Sequence, residues 1–243
     1  MSELSISHLR VQPAKRERLA DIVYGQLFEQ ISSGDFKEGQ RLPTEGELAR
    51  AFDASRPTVR EALKRLQLDG LIVSRQGSGS YVKVRPPQRI TEFAPASEIA
   101  AYLRTFEPRI VLESEAARLA ALRRTRGQLA DIEAAFDRLR EAIEAGTGRY
   151  EDDLAFHMAI AEASGNTMFP KLLNAIGEAI RGTMQMALGL TRVGSVRRQQ
   201  QVLVEHQQIK EAIAAQDSDG AAVYMRYHLT RARERVTDAQ REL

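Results

Sequence analysis

Apolar positions in this chain recur at helical spacing, then at strand spacing, then at helical spacing to the end. Leu19, Ile22, Val23, Leu27 and Ile31 fall on one face of a helix over 14–33, which Gly34 stops. After a turn holding Gly39 and Pro43, Thr44-Glu45-Gly46-Glu47 has capping-box spacing and opens a short helix ending near Phe52. Ser55 then caps a third helix, with Pro57 in its first turn, where the missing N–H costs nothing. Val59, Ala62, Leu63 and Leu66 give this third helix an inward face. Beyond Asp69-Gly70 the period becomes two. Residues 71–74 and 80–84 read as strands, turned by Gln76-Gly77-Ser78-Gly79 into a hairpin. Pro86, Pro87 and Pro95 mark 85–97 as a linker. From Ser97 onward amphipathic helices are expected at roughly 97–122, 127–145, 150–164, 167–189, 194–216 and 219–240, with Pro108 splitting the first. Short breaks between long helices imply antiparallel neighbours.

The fold class is therefore mostly α. An arm at 1–13 precedes a winged helix-turn-helix at 14–84, α with a small β-hairpin. After the linker, 98–243 forms an all-α antiparallel helical bundle.

Charge adds a first functional reading. The whole chain carries only +2, which does not suit a general polyanion binder. Residues 1–85 hold 14 Lys/Arg against 11 Asp/Glu, a net +3, and the remainder is −1. The third helix concentrates this excess: Arg56, Arg60, Lys64 and Arg65 stand against Glu61 on its polar face, a set suited to phosphates and guanine edges. An ordinary solvated surface helix is the alternative, and the flanking helix-turn-helix and wing weigh against it. There is no cysteine, so neither disulfide nor thiolate metal site is available. No apolar run nears the ~18 residues of a membrane span, and Met1–Arg10 lacks a signal-peptide core. A cytoplasmic protein without a membrane partner is expected.

The histidines add a second. Of four, His8 lies in the arm and needs no role. Asp153 and His157 are four apart, one turn apart on one helical face. His206 lies 11 residues before Asp217 and His228 lies 11 after it. An antiparallel hairpin turning at Asp217 brings both level, each about 16 Å from the turn. Any one of these histidines alone reads as packing. Three at mutually consistent positions, beside a carboxylate, read as a divalent metal site. The donors suit Zn first, then Ni, Fe or Cu, and the carboxylate adds Mn.

These residues resemble a known family. Leu42-Pro43-Thr44-Glu45, Ser55-Arg56-Pro57-Thr58-Val59-Arg60-Glu61-Ala62-Leu63, Asp69-Gly70-Leu71-Ile72 and Gly77-Ser78-Gly79-Ser80-Tyr81-Val82 look like the winged helix-turn-helix of GntR-type bacterial transcription regulators. The resemblance implies contacts to double-stranded operator DNA from Ser55, Arg56, Thr58, Arg60 and Gly77. Some relatives carry a basic DNA-contacting residue where this chain has Gly46, so that contact is not carried over. Arg109 with Glu113, Asp153-Leu154-Ala155-Phe156-His157, Ser164-Gly165-Asn166, Glu205-His206 and Met225 with His228-Leu229 resemble the FCD effector domain of the FadR branch, in its metal-containing form. That implies metal ligation by Asp153, His157, His206 and His228, and a small carboxylate effector held by Arg109 and Asn166. Two alternatives stand beside it: Arg109 as a structural partner of Glu113 one turn on, and Asn166 as a helix cap.

The function implied is a ligand-responsive transcription regulator, a repressor. It would bind a palindromic operator as a homodimer and be released by a small organic acid at the metal site. A metal-responsive regulator is the alternative. A metalloenzyme fused to a DNA-binding domain is disfavoured: there is no His-Glu-x-x-His motif and no nucleophile–base pair near the ligands.

Overall fold

In the computed structural model, the described residues are 19–86, 96–178 and 196–237. The expected arm, residues 14–18 of the first helix, linker residues 87–95 and residues 179–195 and 238–243 lie outside them. The elements are α1 (Leu19–Ser33), α2 (Glu45–Ala51), α3 (Arg56–Leu68), β1 (Ile72–Arg75), β2 (Gly79–Val82), α4 (Ala96–Arg123), α5 (Arg126–Glu144), α6 (Tyr150–Ala163), α7 (described over 168–178), α8 (Val196–Ala214) and α9 (Ser218–Thr237). The expected class, a winged helix-turn-helix followed by a helical bundle, is what the chain forms.

The first hydrophobic core joins Val23, Leu27, Phe28 and Ile31 of α1 to Leu48 of α2, to Val59, Ala62 and Leu66 of α3, and to Ile72 and Val82 of the hairpin. Local chemistry sets the element ends. Thr44 Oγ1 accepts from Glu47 N at 3.3 Å while Glu47 Oε2 accepts from Thr44 N at 2.7 Å, closing the capping box of α2. Ser55 Oγ accepts from Thr58 N at 3.3 Å to cap α3. The strands pair antiparallel from Ile72 with Val82 to Arg75 with Gly79. This turn is one residue tighter than expected. Gly77 and Gly79 reach φ of +70° and +104°, which lets the chain reverse across 76–78.

The second core packs Phe106, Ala117 and Ala120 of α4 with Ile132, Phe136 and Leu139 of α5, Phe156 and Ile160 of α6, Ile209 and Ile213 of α8, and Met225 and Leu229 of α9. Two expectations are corrected here. Pro108 does not split the first bundle helix, because α4 runs unbroken through it. Proline removes one ladder hydrogen bond. Pro108 is exposed, so that loss falls on the watered face, while Phe106 and Arg109 anchor the buried face on either side. Second, α4 starts at Ala96, inside the expected linker, and serves both cores. Ile99 and Leu103 join the first, Tyr102 and Phe106 the second.

Candidate metal centre and nucleic-acid interface

Three helices of the bundle deliver the cluster. Asp152 Oδ2 accepts from Arg149 N at 2.7 Å and starts α6, which sets Asp153 and His157 one turn apart on its inner face. The α8–α9 turn passes through Gln216 at φ +58°, and Asp217 Oδ1 accepts from Gly220 N at 2.9 Å to start α9. The hairpin so formed brings the His206 and His228 ring centroids to 4.3 Å, and the His157 ring lies 5.6 and 5.3 Å from them. One donor atom from each of Asp153, His157, His206 and His228 lies within 4.8 Å of all the others. All three imidazoles are buried.

The outer nitrogens decide which way the lone pairs point. His206 Nδ1 is 2.8 Å from the Val202 carbonyl oxygen, His228 Nδ1 is 2.9 Å from Glu205 Oε2, and His157 Nδ1 is 2.5 Å from Glu113 Oε2. The outer nitrogens of His206 and His228 each hydrogen-bond to an acceptor, which places the proton on Nδ1 and turns the Nε2 lone pair inward, while His157 Nδ1 stands against Glu113 Oε2 without hydrogen-bond geometry. Inside, His206 Nε2 lies 3.1 Å and His157 Nε2 3.8 Å from the Asp153 carboxylate. His157 Nε2 is fully buried and has no hydrogen-bond partner. A buried imidazole nitrogen aimed at a carboxylate and two further imidazoles, with nothing to bond, is the environment a divalent cation fits.

Electrostatics agree. Burial alone would raise the Asp153 carboxyl, but His157, His206 and His228 outweigh it and hold it far below the usual carboxylate range. Burial, reinforced by His206, pushes His228 down to about 3, so its ring is neutral and its lone pair available. Burial lowers His157 too, but Glu113 beside it lifts it above its ordinary value.

The sequence reading gave one carboxylate of this outer layer, Glu113, only as a partner of Arg109, and gave the other, Glu205, no role. Glu113 bridges the cluster to Arg109, whose Nε donates to Oε1 at 2.6 Å. Glu205 takes a bidentate pair from Arg235 at 2.7 and 2.8 Å. Burial raises both carboxyls, but their cationic and imidazole partners bring them down to about 2. Glu205 was detectable: it is 12 residues before Asp217, so the same hairpin register that pairs the histidines brings it opposite His228.

The expected effector residues separate. Arg109 is buried, its guanidinium 5.5 Å over the Phe106 ring, and it makes the ion pair with Glu113 that was its structural alternative. Asn166 takes the place that was its alternative. It is exposed in the turn before α7, and its Oδ1 accepts from Met168 N at 3.0 Å as a helix cap.

On the first core, Ser55, Arg56 and Arg60 are exposed and Thr58 half-buried at the N-terminal end of α3. Arg60 lies bidentate on Glu45 of α2, Nε at 3.0 Å from Oε1 and Nη2 at 2.7 Å from Oε2. Arg56 lies over Gly46, where a Cβ would stand 3.4 Å from its Nη2. The missing side chain at 46 thus gives Arg56 its resting place. Gly77 sits at the wing tip with open space around it. Arg65, counted in the basic face, is not free for DNA. Its guanidinium binds Asp21 of α1 at 2.5 Å and also Glu61.

A winged helix-turn-helix with an open arginine-bearing helix, followed by a bundle enclosing an Asp-and-three-His cluster, defines a class: the DNA-binding transcription regulators. Residues 19–82 match the family described as bacterial regulatory proteins, gntR family, and residues 104–231 match the FCD domain. The chain belongs to the GntR family and carries an FCD domain. It is 34% identical over 206 residues to the HTH-type transcriptional regulator LutR of Bacillus subtilis, covering 82% of this chain and 93% of LutR. It is 33% identical over 177 residues to the HTH-type transcriptional repressor NanR of Salmonella arizonae, covering 69% of this chain and 66% of NanR. A solved Streptococcus agalactiae GntR is 28% identical, with a TM-score of 0.47, covering 88% of this chain and 98% of that one. LutR and NanR are named as a transcriptional regulator and a transcriptional repressor. Among the described residues, no helix is long and apolar enough to cross a membrane.

Proposed function

We propose that the chain is a metal-dependent, effector-released repressor that binds a palindromic operator as a homodimer. The observation that carries the reading is the buried cluster of three imidazoles and one ionised carboxylate, with the outer nitrogens of His206 and His228 hydrogen-bonded to acceptors and that of His157 against Glu113. Asp153, His157, His206 and His228 would hold a divalent ion, zinc first, with nickel, manganese or iron as the other candidates. Such an ion supplies a Lewis-acid anchor for the carboxylate of a small organic acid. Glu113, Glu205 and the Val202 carbonyl keep the rings in ligating orientation. Arg109 has its Nε committed to Glu113, so its remaining N–H groups are the edge offered to an effector carboxylate. On the DNA side, Arg60 held by Glu45 and Arg56 over Gly46 present guanidinium groups for guanine, with Ser55, Thr58 and the Gly77 wing tip setting the register. The name of NanR supports repression, and a helix-turn-helix dimer matches a two-fold operator.

Metal content decides the first half. Protein purified without chelator or metal-binding tag should hold about one ion per chain, and His206→Ala should hold far less. Small carboxylic acids should raise the unfolding temperature only of the loaded form. Failure to take up any metal on reconstitution overturns the site. A metal response with no acid dependence favours instead a metal-responsive regulator, a reading supported by the full burial of the His157 and His206 side chains. Arg60→Ala decides the second half. Affinity for a duplex selected from random sequence by the wild-type chain should fall about 10- to 100-fold, with the fold intact. Unchanged binding removes Arg60 from the readout.

A further inference from the structure

The strongest chemistry outside both sites lies where the two cores meet. Asp69 is the C-terminal cap residue of α3, the helix that carries the DNA-facing arginines, and it is buried. Tyr24 of α1 donates to its Oδ2 at 2.7 Å. Its Oδ1 takes Arg233 of α9, Nη2 at 2.5 Å and Nε at 3.1 Å. A second strut runs parallel. Asp21 of α1 binds Arg65 of α3 at 2.5 Å and Arg104 of α4 at 2.7 Å through one oxygen, Oδ1. Val236, one turn beyond Arg233, packs against both cores.

α9 therefore does three things within ten residues. His228 enters the imidazole cluster, Arg235 holds the Glu205 that orients His228, and Arg233 grips the end of α3. His228 and Arg233 are about 7.5 Å apart along one rigid helix. A shift of α9 at the cluster cannot leave Arg233 where it is, and Arg233 is bonded to the reading helix with both partners largely out of water. Pairs of this kind have discrete arrangements and pass small displacements on.

We infer that Arg233 is a positioning residue for operator recognition: through Asp69 it fixes the C-terminal end of α3 to the helix that carries His228, with Arg104–Asp21–Arg65 as the second strut. The juxtaposition stands on geometry alone; its use in signalling rests on the metal-dependent reading above.

The test uses the full chain and the selected duplex described above. Arg233→Met keeps the stem and removes the charge, Arg233→Lys keeps a charge, and Asp69→Asn keeps the shape. Arg233→Met should weaken specific binding about tenfold while leaving binding to unrelated duplex unchanged, a split that general destabilisation does not give. Lysine should restore part of the loss. Arg233→Met combined with Asp69→Asn should be no worse than the poorer single variant, because both break one bond. Specific affinity within twofold of wild type in Arg233→Met, or losses that simply add in the double variant, would overturn the assignment. Zinc then separates the two readings. Where zinc changes the operator affinity of the wild type, that change should shrink below twofold in Arg233→Met, whose zinc affinity is unaltered; an undiminished zinc response refutes the coupling. If zinc leaves wild-type affinity unchanged, the metal-dependent reading and the signalling role both fall, and the positioning role is judged on the affinity split alone.

Discussion

Replacing Glu205 by glutamine tests how far the cluster depends on its outer layer. The side chain is 7% exposed and takes three hydrogen bonds: two from Arg235 at 2.7 and 2.8 Å and one from His228 Nδ1 at 2.9 Å. The amide keeps the volume but loses the charge, and its NH2 opposes a donor. Two consequences follow at different sizes. His228 loses an ionised acceptor, and losses of this kind cost about 10- to 100-fold in metal affinity, about 1.4–2.7 kcal/mol. Arg235, 9% exposed, is left as a buried cation facing a neutral group; unpaired buried charges cost about 3–5 kcal/mol, and the amide dipole keeps this case near the lower end. Competition against a chromophoric zinc chelator reads the first effect, and denaturant midpoints in EDTA read the second. Glu211→Gln, on the exposed face of the same helix, should change neither. A variant that loses stability in EDTA but binds zinc within twofold of wild type would show that Glu205 serves only Arg235, and the claim that it orients His228 would be wrong.

Three further outcomes are expected. Pro108→Ala should raise unfolding stability by about 1–3 kcal/mol, because it restores a donor and removes a ring clash inside a continuous helix; a lower denaturant midpoint would mean that the proline shapes α4 rather than being tolerated by it. Glu113→Gln should flatten the acid limb of stability in metal-free protein. The folded Glu113 carboxyl is depressed to about 2, so its contribution, about 3 kcal/mol, is present above the unfolded value near 4.5 and lost as pH falls from there through 2; identical slopes for variant and wild type between pH 5 and 3 would refute it. Gly34→Ala should destabilise by at least about 1–2 kcal/mol. Its φ is +92°, and the new Cβ would stand 2.8 Å from the Arg85 guanidinium, which caps α1 through the Ser32 and Ser33 carbonyls. An unchanged melting curve would show that Arg85 yields freely.

What could be read from the sequence follows the distance over which a regular helix or turn carries information. The cluster was legible because its parts are tied by short arithmetic: four residues from Asp153 to His157, and equal arms on either side of Asp217. The same arithmetic reaches Glu205, yet an acid next to a histidine on a helix reads as a solvated charge unless the partner helix is considered with it. Arg65 fails for a different reason. Its spacing puts it on the polar face of α3, but polar faces are not all wet, and its partner Asp21 lies on another helix 44 residues earlier. Pro108 was read by a rule about isolated helices, which packing on its buried face overrides. The clearest case is α4. Ile99, Tyr102, Leu103 and Phe106 make one apolar stripe at helical spacing, and nothing in that stripe says that 99 and 103 go to one core while 102 and 106 go to the other. Amphipathic pattern reports that a face is covered and not by what. The boundary between the two cores is therefore where local reasoning is blind. It is also where Asp21, Asp69, Arg104 and Arg233 meet, so the contacts that couple the halves of a regulator are those least visible in its sequence.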